Sequence, residues 1–348
     1  MSLILPKIPL WIDCDPGHDD AIGLLLGSGL DQYHLVGVST VHGNASLGNT
    51  TSNAISILTA FKRLDVNVYP GAEKPLVRKL NVADSIHGRS GLDGTAFLPM
   101  PSFDAQPDHT AVAAMAKAIE TYPGTLAIAA LGPLTNIALL AMNYPDLLPS
   151  LRLLSIMGGG LGLGNWTKFA EFNIWCDAHA AQIVFSDTTL IPKTLLVPLN
   201  LTHQAIATDE ILEQIQKSRQ LDRRSVLRQM LYELMIYFAG TYKKKFGFKN
   251  GPPVHDAVAV AAILPFYSDN STERSEHSND PPAADLDLRF ARYQVHVVEE
   301  GPQEGMLVFE PDSDNGIMIA QEMNFTEFWR LVLDAVDNVE SSTSLLVS

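Results

Sequence analysis

The sequence predicts one α/β domain built on a central, mainly parallel sheet flanked by helices. Three observations carry this expectation. Short apolar runs alternate with amphipathic or Ala-rich segments through about the first 200 residues, and alternating β and α elements imply a parallel sheet with helices on both faces. The run Leu126–Ala130 reads Leu-Ala-Ile-Ala-Ala, apolar throughout, as a strand covered on both sides should. Polar or Gly-rich turns follow the apolar runs, and open α/β sheets bind ligands beyond the carboxyl ends of their strands. The architecture is thus Rossmann-like, with the active site at the C-terminal ends of the strands.

Taken in order, the strand candidates are Pro9–Cys14, His34–Val41, Asn67–Tyr69, Leu126–Ala130, Leu151–Met157 and Thr194–Leu199. Helical patterns lie between them at Asp19–Gly27, Thr50–Phe61, Thr110–Thr121, Leu134–Ala141 and Asp177–Phe185. From Asp209 to Leu264 the pattern is helical. Tyr267–Asp287, rich in Ser, Asn, Asp and Pro, reads as a flexible surface insertion. Strands at Leu288–Val298, Gly305–Phe309 and Gly316–Ile319 precede a helix at Thr326–Val339. Residues 1–339 form the expected domain and 340–348 a loose tail.

At 348 residues and 46% hydrophobic composition, the chain can bury a sizeable core. A formal net charge of -15 argues against nucleic acid as a partner. Cys14 and Cys176 are too few for a disulfide framework and read as reduced thiols. No apolar run reaches the roughly 18–20 residues of a spanning helix, so no membrane association is expected. The N-terminus lacks a basic region before its apolar stretch and does not read as a signal peptide. The expected location is the cytoplasm, with the nucleus also open.

Asp13-Cys14-Asp15-Pro16-Gly17-His18-Asp19-Asp20 places four carboxylates within eight residues, and no Lys or Arg occurs between Lys7 and Lys62. Like charges this close raise one another's pKa. Asp13 and Asp15 share one side of an extended segment, with Cys14 on the other. Asp19 and Asp20 open a helix, where the dipole stabilises an acidic side chain. Helix capping explains one or two of these carboxylates but not four. A divalent cation explains the set, and oxygen-only ligands point to a hard one, Ca²⁺ or Mg²⁺.

Other strand ends carry Gly43-Asn44, Leu131-Gly132-Pro133-Leu134-Thr135-Asn136 and Met157-Gly158-Gly159-Gly160. Singly these are turns; together they suggest one crevice. Glu171-Phe172-Asn173 has the spacing to bind vicinal hydroxyls, or merely to cap the helix that follows. His255-Asp256 opens a helix after Gly251-Pro252-Pro253. The bland reading is a packed His and a capping Asp; the functional one is a further acidic ligand beside a titratable group.

These motifs resemble the inosine–uridine-preferring nucleoside hydrolases, fungal uridine nucleosidases in particular. The likeness adds His87-Gly88-Arg89-Ser90-Gly91-Leu92-Asp93-Gly94, Val197–His203 and Thr241 through Pro253, and runs in family order over nearly the whole chain. It implies hydrolysis of ribonucleosides with one Ca²⁺ per subunit, held by Asp15, Asp20, Asp256 and the Leu131 carbonyl. It implies that Asp13 supports the loop, and that Asp19, Asn44, Asn165, Glu171 and Asn173 grip ribose. Met157 and Phe172 match the ribose pocket; His87, His255 and Tyr242 match positions near the base. Asp15 would act as general base, giving inversion at C1′, and His255 would protonate the leaving base. His87 could donate to a uracil oxygen. Uridine is the favoured substrate, with inosine, cytidine and nicotinamide riboside open, and the resemblance implies a homodimer or homotetramer. Two readings from other classes are a Mg²⁺-dependent phosphatase, which wants a nearby Lys or Arg for phosphate, and a non-catalytic nucleoside-binding protein.

Overall fold

The computed structural model describes residues 6–106, 110–218, 225–267, 285–312 and 314–344. Nine strands form one sheet: β1 (Ile8–Cys14), β2 (Tyr33–Thr40), β3 (Val68–Pro70), β4 (Ala127–Ala130), β5 (Leu153–Met157), β6 (Thr194–Val197), β7 (Arg289–Val297), β8 (Leu307–Pro311) and β9 (Ile317–Glu322). Their spatial order is β3-β2-β1-β4-β5-β6-β9-β7-β8. Pairing is parallel from β3 through β9, and antiparallel only where β7 meets β9 and β8. The mainly parallel α/β architecture expected from the apolar runs is what forms.

The helices are α1 (His18–Gly29), α2 (Leu47–Ala60), α3 (Asp84–His87), α4 (Ala111–Thr121), α5 (Thr135–Asn143), α6 (Phe172–Cys176), α7 (Ala178–Ser186), α8 (Leu199–Thr202), α9 (Asp209–Gln216), α10 (Val226–Phe246), α11 (His255–Ala261) and α12 (Phe325–Ser344). They sandwich the sheet between two cores. Alternation along β1 shows how: Leu10, Ile12 and Cys14 enter the core shared with α1, α11 and α12, while Trp11 enters the one beneath α4, α5 and α7. β4 repeats the pattern, with Ala127 and Ala129 on the first side and Ile128 and Ala130 on the second. Asp13 therefore points to the side of Trp11 and α5, opposite Cys14.

This sheet order puts β1 at the centre, between β2 and β4, with Asp13 in register with Ser39 on one side and Ala130 on the other. The turns after β1, β2 and β4 consequently meet at one end of the sheet. Helix α11, far off in sequence, packs against α1, which brings the second acidic segment to the first.

The expected insertion at Tyr267–Asp287 falls mostly outside the described residues. The expected tail needs correction. Helix α12 continues to Ser344, so the first residues beyond Val339 extend it rather than hang loose. The reason lies in α10, where the guanidinium of buried Arg228 meets Glu340 at 2.9 Å and also bonds Asp337. A hydrophobic-pattern reading stops the helix where its apolar residues end and misses the buried ion pair at the very next residue. Breaking such a pair leaves a buried charge without its partner, which costs about 3–5 kcal/mol. Arg228→Ala should therefore lose stability of that order in chemical denaturation, and a loss below about 1 kcal/mol would contradict the assignment.

Candidate active site

Asp13 sits fully buried at the end of β1. Its Oδ1 accepts from Ser39 Oγ at 2.5 Å and from Asn136 Nδ2 at 2.8 Å. The same Asn136 amide donates to the Thr40 carbonyl at 3.0 Å, and its Oδ1 accepts from the Ala72 amide at 2.8 Å. One carboxylate thus ties together the turns after β2, β3 and β4. Burial pushes Asp13 up to about 7, against the opposing pull of the Ser39 and Asn136 hydrogen bonds.

Asp15 Oδ2 accepts from the Asn44 amide at 2.7 Å, while Oδ1 is buried with no hydrogen-bond partner. Two glycines make room for it. A Cβ on Gly43 (φ +154°) would stand 2.0 Å from Asp15 Oδ2, and one on Gly132 2.5 Å from Oδ1. The glycines noted as turns in the sequence therefore form a cradle around this carboxylate. Asp20, in the first turn of α1, accepts from the amides of Gly17 at 2.9 Å and Asp15 at 3.3 Å, and from Asn44 Nδ2 at 3.2 Å. Asp19 accepts from the His255 amide.

Asp19, Asp20 and Asp256 each place a ligand atom within 4.8 Å of the others. Of the expected carboxylate ligands, Asp20 and Asp256 come together as anticipated. Asp19 completes the closest group, and Asp15 stands beside it with its unpartnered oxygen. The Leu131 carbonyl accepts from Asn173 Nδ2 at 2.8 Å. Burial, then mutual charge, pushes Asp15, Asp19 and Asp256 well above the ordinary carboxylate range, and burial raises Asp20 to about 6. Among the described residues, no Lys or Arg forms an ion pair with any of them. Converging oxygens, an orphaned buried Oδ1 and no basic partner fit a hard divalent cation.

One wall beside the acids is polar, built on two asparagines and Glu171. Asn44 and Asn173 keep small exposures there. Glu171 caps α6, accepting from the amides of Gly159 at 2.9 Å, Asn173 at 2.8 Å and Ile174 at 3.1 Å. Burial nevertheless raises it to about 6. The capping role and the site position thus coincide in one residue. Asn165 Oδ1 accepts from the Phe172 amide at 2.9 Å, and Trp166 packs on the Phe172 ring at 4.8 Å. Met157, buried at the end of β5, meets Asn173 through its sulfur at 3.4 Å.

A second group beside the acids is aromatic and imidazole-rich. Both nitrogens of His255 are engaged: Nδ1 with Thr202 Oγ1 at 2.7 Å and Nε2 with the Tyr242 hydroxyl at 2.8 Å. Burial holds His255 well below its usual pKa and raises Tyr242. His87 Nδ1 lies 3.0 Å from His18 Nδ1, and His18 Nε2 lies 2.8 Å from the Asp93 carbonyl. The two rings stack with Phe238, and His18 also with Tyr237. Burial depresses both histidines, His18 to about 4. Sequence reading missed His18, Ser39, Asp93, Asn136, Thr202 and Phe238 as individual site components. His18, Asp93, Asn136 and Thr202 lie inside the motifs named above without being singled out; Ser39 and Phe238 carry no local signal, because only the tertiary fold brings them near.

The family model for the inosine-uridine preferring nucleoside hydrolases matches residues 10–330. The chain belongs to this family. A uridine nucleosidase of Saccharomyces cerevisiae is 40% identical over 99% of the chain and 100% of its own length. A pyrimidine-specific ribonucleoside hydrolase of Salmonella arizonae is 41% identical over 74% of the chain and 79% of its own. A solved plant nucleoside hydrolase shares the fold with a TM-score of 0.81 at 24% identity, covering 95% of this chain and 99% of that one. As a nucleoside hydrolase, the chain is an enzyme acting on N-glycosyl bonds.

The raised carboxylates carry a consequence for this nucleoside hydrolase. A carboxyl whose folded pKa exceeds its unfolded value stabilises the fold at low pH and loses that contribution as pH rises through the folded value. The window runs from an unfolded value of about 4 to about 6 for Asp20 and about 7 for Asp13. In chelator, thermal stability should fall across this window, and a divalent cation should restore it. The gap between the two melting curves should be small near about pH 5 and several degrees near about pH 8. A gap that shrinks as pH rises would contradict it.

Proposed function

We propose that this nucleoside hydrolase cleaves uridine to ribose and uracil, with Ca²⁺ held by Asp15, Asp20, Asp256 and the Leu131 carbonyl. The observation that carries the reading is the buried carboxylate group, without basic partners, beside a polar group of asparagines and an imidazole-rich one. The uridine preference is supported by the yeast relative's name and the calcium by the all-oxygen donor set. When bound, the cation supplies Lewis-acid charge that acidifies water and orients ribose hydroxyls.

The chain's own residues do the rest. The unpartnered Oδ1 of Asp15 accepts a proton from the attacking water, whose oxygen bonds to C1′ as the C1′–N bond breaks. Positive charge develops on the sugar ring, and the surrounding carboxylates stabilise it more than the neutral ground state. Direct attack inverts C1′. Asp19, Asn44, Asn165, Glu171 and Asn173 hold the ribose hydroxyls, while Met157 and Phe172 pack on the sugar. Asp13 takes no part in bond making; it fixes the turns that carry Asp15 and Asn44. Since both His255 nitrogens are occupied, that ring acts through Tyr242. Thr202 donates to Nδ1, Nε2–H donates to the phenol oxygen, and the Tyr242 hydroxyl donates to the departing base. The products, ribose and free base, suit a role in nucleoside salvage.

A reducing-sugar assay with uridine, cytidine, inosine and nicotinamide riboside, with and without chelator, tests the substrate and the metal together. Uridine should lead and chelator should abolish turnover. Asp15→Ala should lower kcat by about 10³-fold or more while the fold is kept, and a folded variant with near-normal rate would sink its role. His255→Ala should lower kcat by about 10²-fold; a change confined to KM would remove it from the protonation step.

A further inference from the structure

We propose that His42 is a positioning residue for the ribose site: through Thr135 it ties the turn that carries Asn44 to Asp177, at the end of the segment that carries Glu171 and Asn173. This rests on the ribose contacts proposed above and deepens that reading.

The chain is built from buried groups only. His42, Thr135 and Asp177 are each no more than 1% exposed. His42 Nε2 lies 3.1 Å from Thr135 Oγ1, which donates to Asp177 Oδ2 at 2.7 Å. The direction of each bond follows from counting hydrogens. Asp177 accepts from the Leu76 amide at 2.9 Å, from the Ala180 amide at 3.1 Å and from Thr135. The one hydroxyl hydrogen of Thr135 is therefore spent on a carboxylate that only accepts. Thr135 Oγ1 is left as the acceptor for His42, so Nε2 carries the hydrogen. Burial pulls the His42 pKa down to about 4, and the neutral ring has that single hydrogen to give. Its Nδ1 is buried without a hydrogen-bond partner among the described residues. A sealed acceptor without a donor is destabilising, and an apolar side chain here would avoid that penalty. What the imidazole adds is the bond to Thr135.

The two ends of the chain are the two sides of the proposed ribose grip. His42 stands two residues before Asn44, whose amide donates to Asp15 at 2.7 Å and whose side chain donates to Asp20 at 3.2 Å. Asp177 closes α6 and caps α7, and α6 opens at Glu171-Phe172-Asn173. Thr135, in the middle, is the first residue of α5, and its neighbour Asn136 already bonds Asp13 and the Thr40 carbonyl. Both ends also hold the loop after β3: the His42 amide donates to the Ala72 carbonyl at 3.1 Å, and Asp177 takes the Leu76 amide. Among the described residues no hydrogen bond joins Asn44 directly to Glu171 or Asn173. Their separation is set by the elements between them, and the His42 chain is a buried side-chain link that spans those elements.

The test uses the substrate's hydroxyls as probes. With Ca²⁺ present, kcat/KM is measured for uridine, 2′-deoxyuridine and 3′-deoxyuridine. In His42→Phe, which keeps a ring but gives up the donor, the advantage of uridine over at least one deoxynucleoside should shrink about tenfold, the worth of one hydrogen bond. A merely structural role lowers all three values together and leaves their ratios unchanged; that result in a folded variant overturns the proposal. Thr135→Val breaks the same chain and should shrink the same ratio, which decides the matter should His42→Phe not fold. Thr135→Ser keeps the hydroxyl and should keep the advantage; its loss there would contradict the chain. The double variant His42→Phe/Thr135→Val should lose no more than Thr135→Val alone, and additive losses also overturn the proposal. Failure of the ribose reading is a separate result: the wild type would then prefer uridine to neither deoxynucleoside.

Discussion

Burying ionisable oxygen without a basic partner is the constraint on which the rest of this structure depends. Asp13, Asp15, Asp19, Asp20 and Asp256 are all buried, and removing a charge from water costs several kcal/mol for each unpaired ion. The protein meets part of that cost with backbone amides and neutral amides. Gly17, Asp15 and Asn44 donate to Asp20; the Asn44 amide serves Asp15; Ser39 and Asn136 serve Asp13. These bonds leave Asp15 Oδ1 and Asp13 Oδ2 unpartnered. The remaining imbalance is a standing preference for positive charge, whether a metal ion or the developing charge on a sugar ring. The fold's stability and the enzyme's chemistry thus draw on the same electrostatic feature.

The sheet order makes the arrangement possible. Asp13 lies on the central β1, in register with Ser39 and Ala130 of its two neighbours, so one carboxylate reaches three turns through Ser39 and Asn136. The α1–α11 packing then adds Asp256 from some 240 residues away in the chain. Beside the acids stand three histidines, His18, His87 and His255, whose pKa values burial lowers.

Much of this was legible in the chain. The parallel sheet followed from continuous apolar runs, because a strand buried on both faces has no polar side to alternate. The acidic loop stood out because no Lys or Arg lies near it. Asp256 was reachable through its place at a helix start. What escaped the sequence is instructive. Glu171 looked like either a cap or a ligand, and the structure makes it a cap located in the site, a coincidence no spacing rule expresses. His18 sat unremarked inside the acidic motif because its partners, His87 and the Asp93 carbonyl, come from a distant loop. His255 read as a free acid, yet Thr202 and Tyr242 occupy both of its nitrogens. The end of α12 was misplaced because its last turn is held by the Arg228–Glu340 pair rather than by apolar burial.

The most direct test of the central claim is metal stoichiometry measured alongside turnover. Protein stripped with chelator and reloaded with Ca²⁺ should hold one ion per chain, and uridine hydrolysis should return in proportion to the ion bound. Asp20→Ala should bind none. Full uridine turnover by enzyme shown to contain no divalent metal would contradict the account.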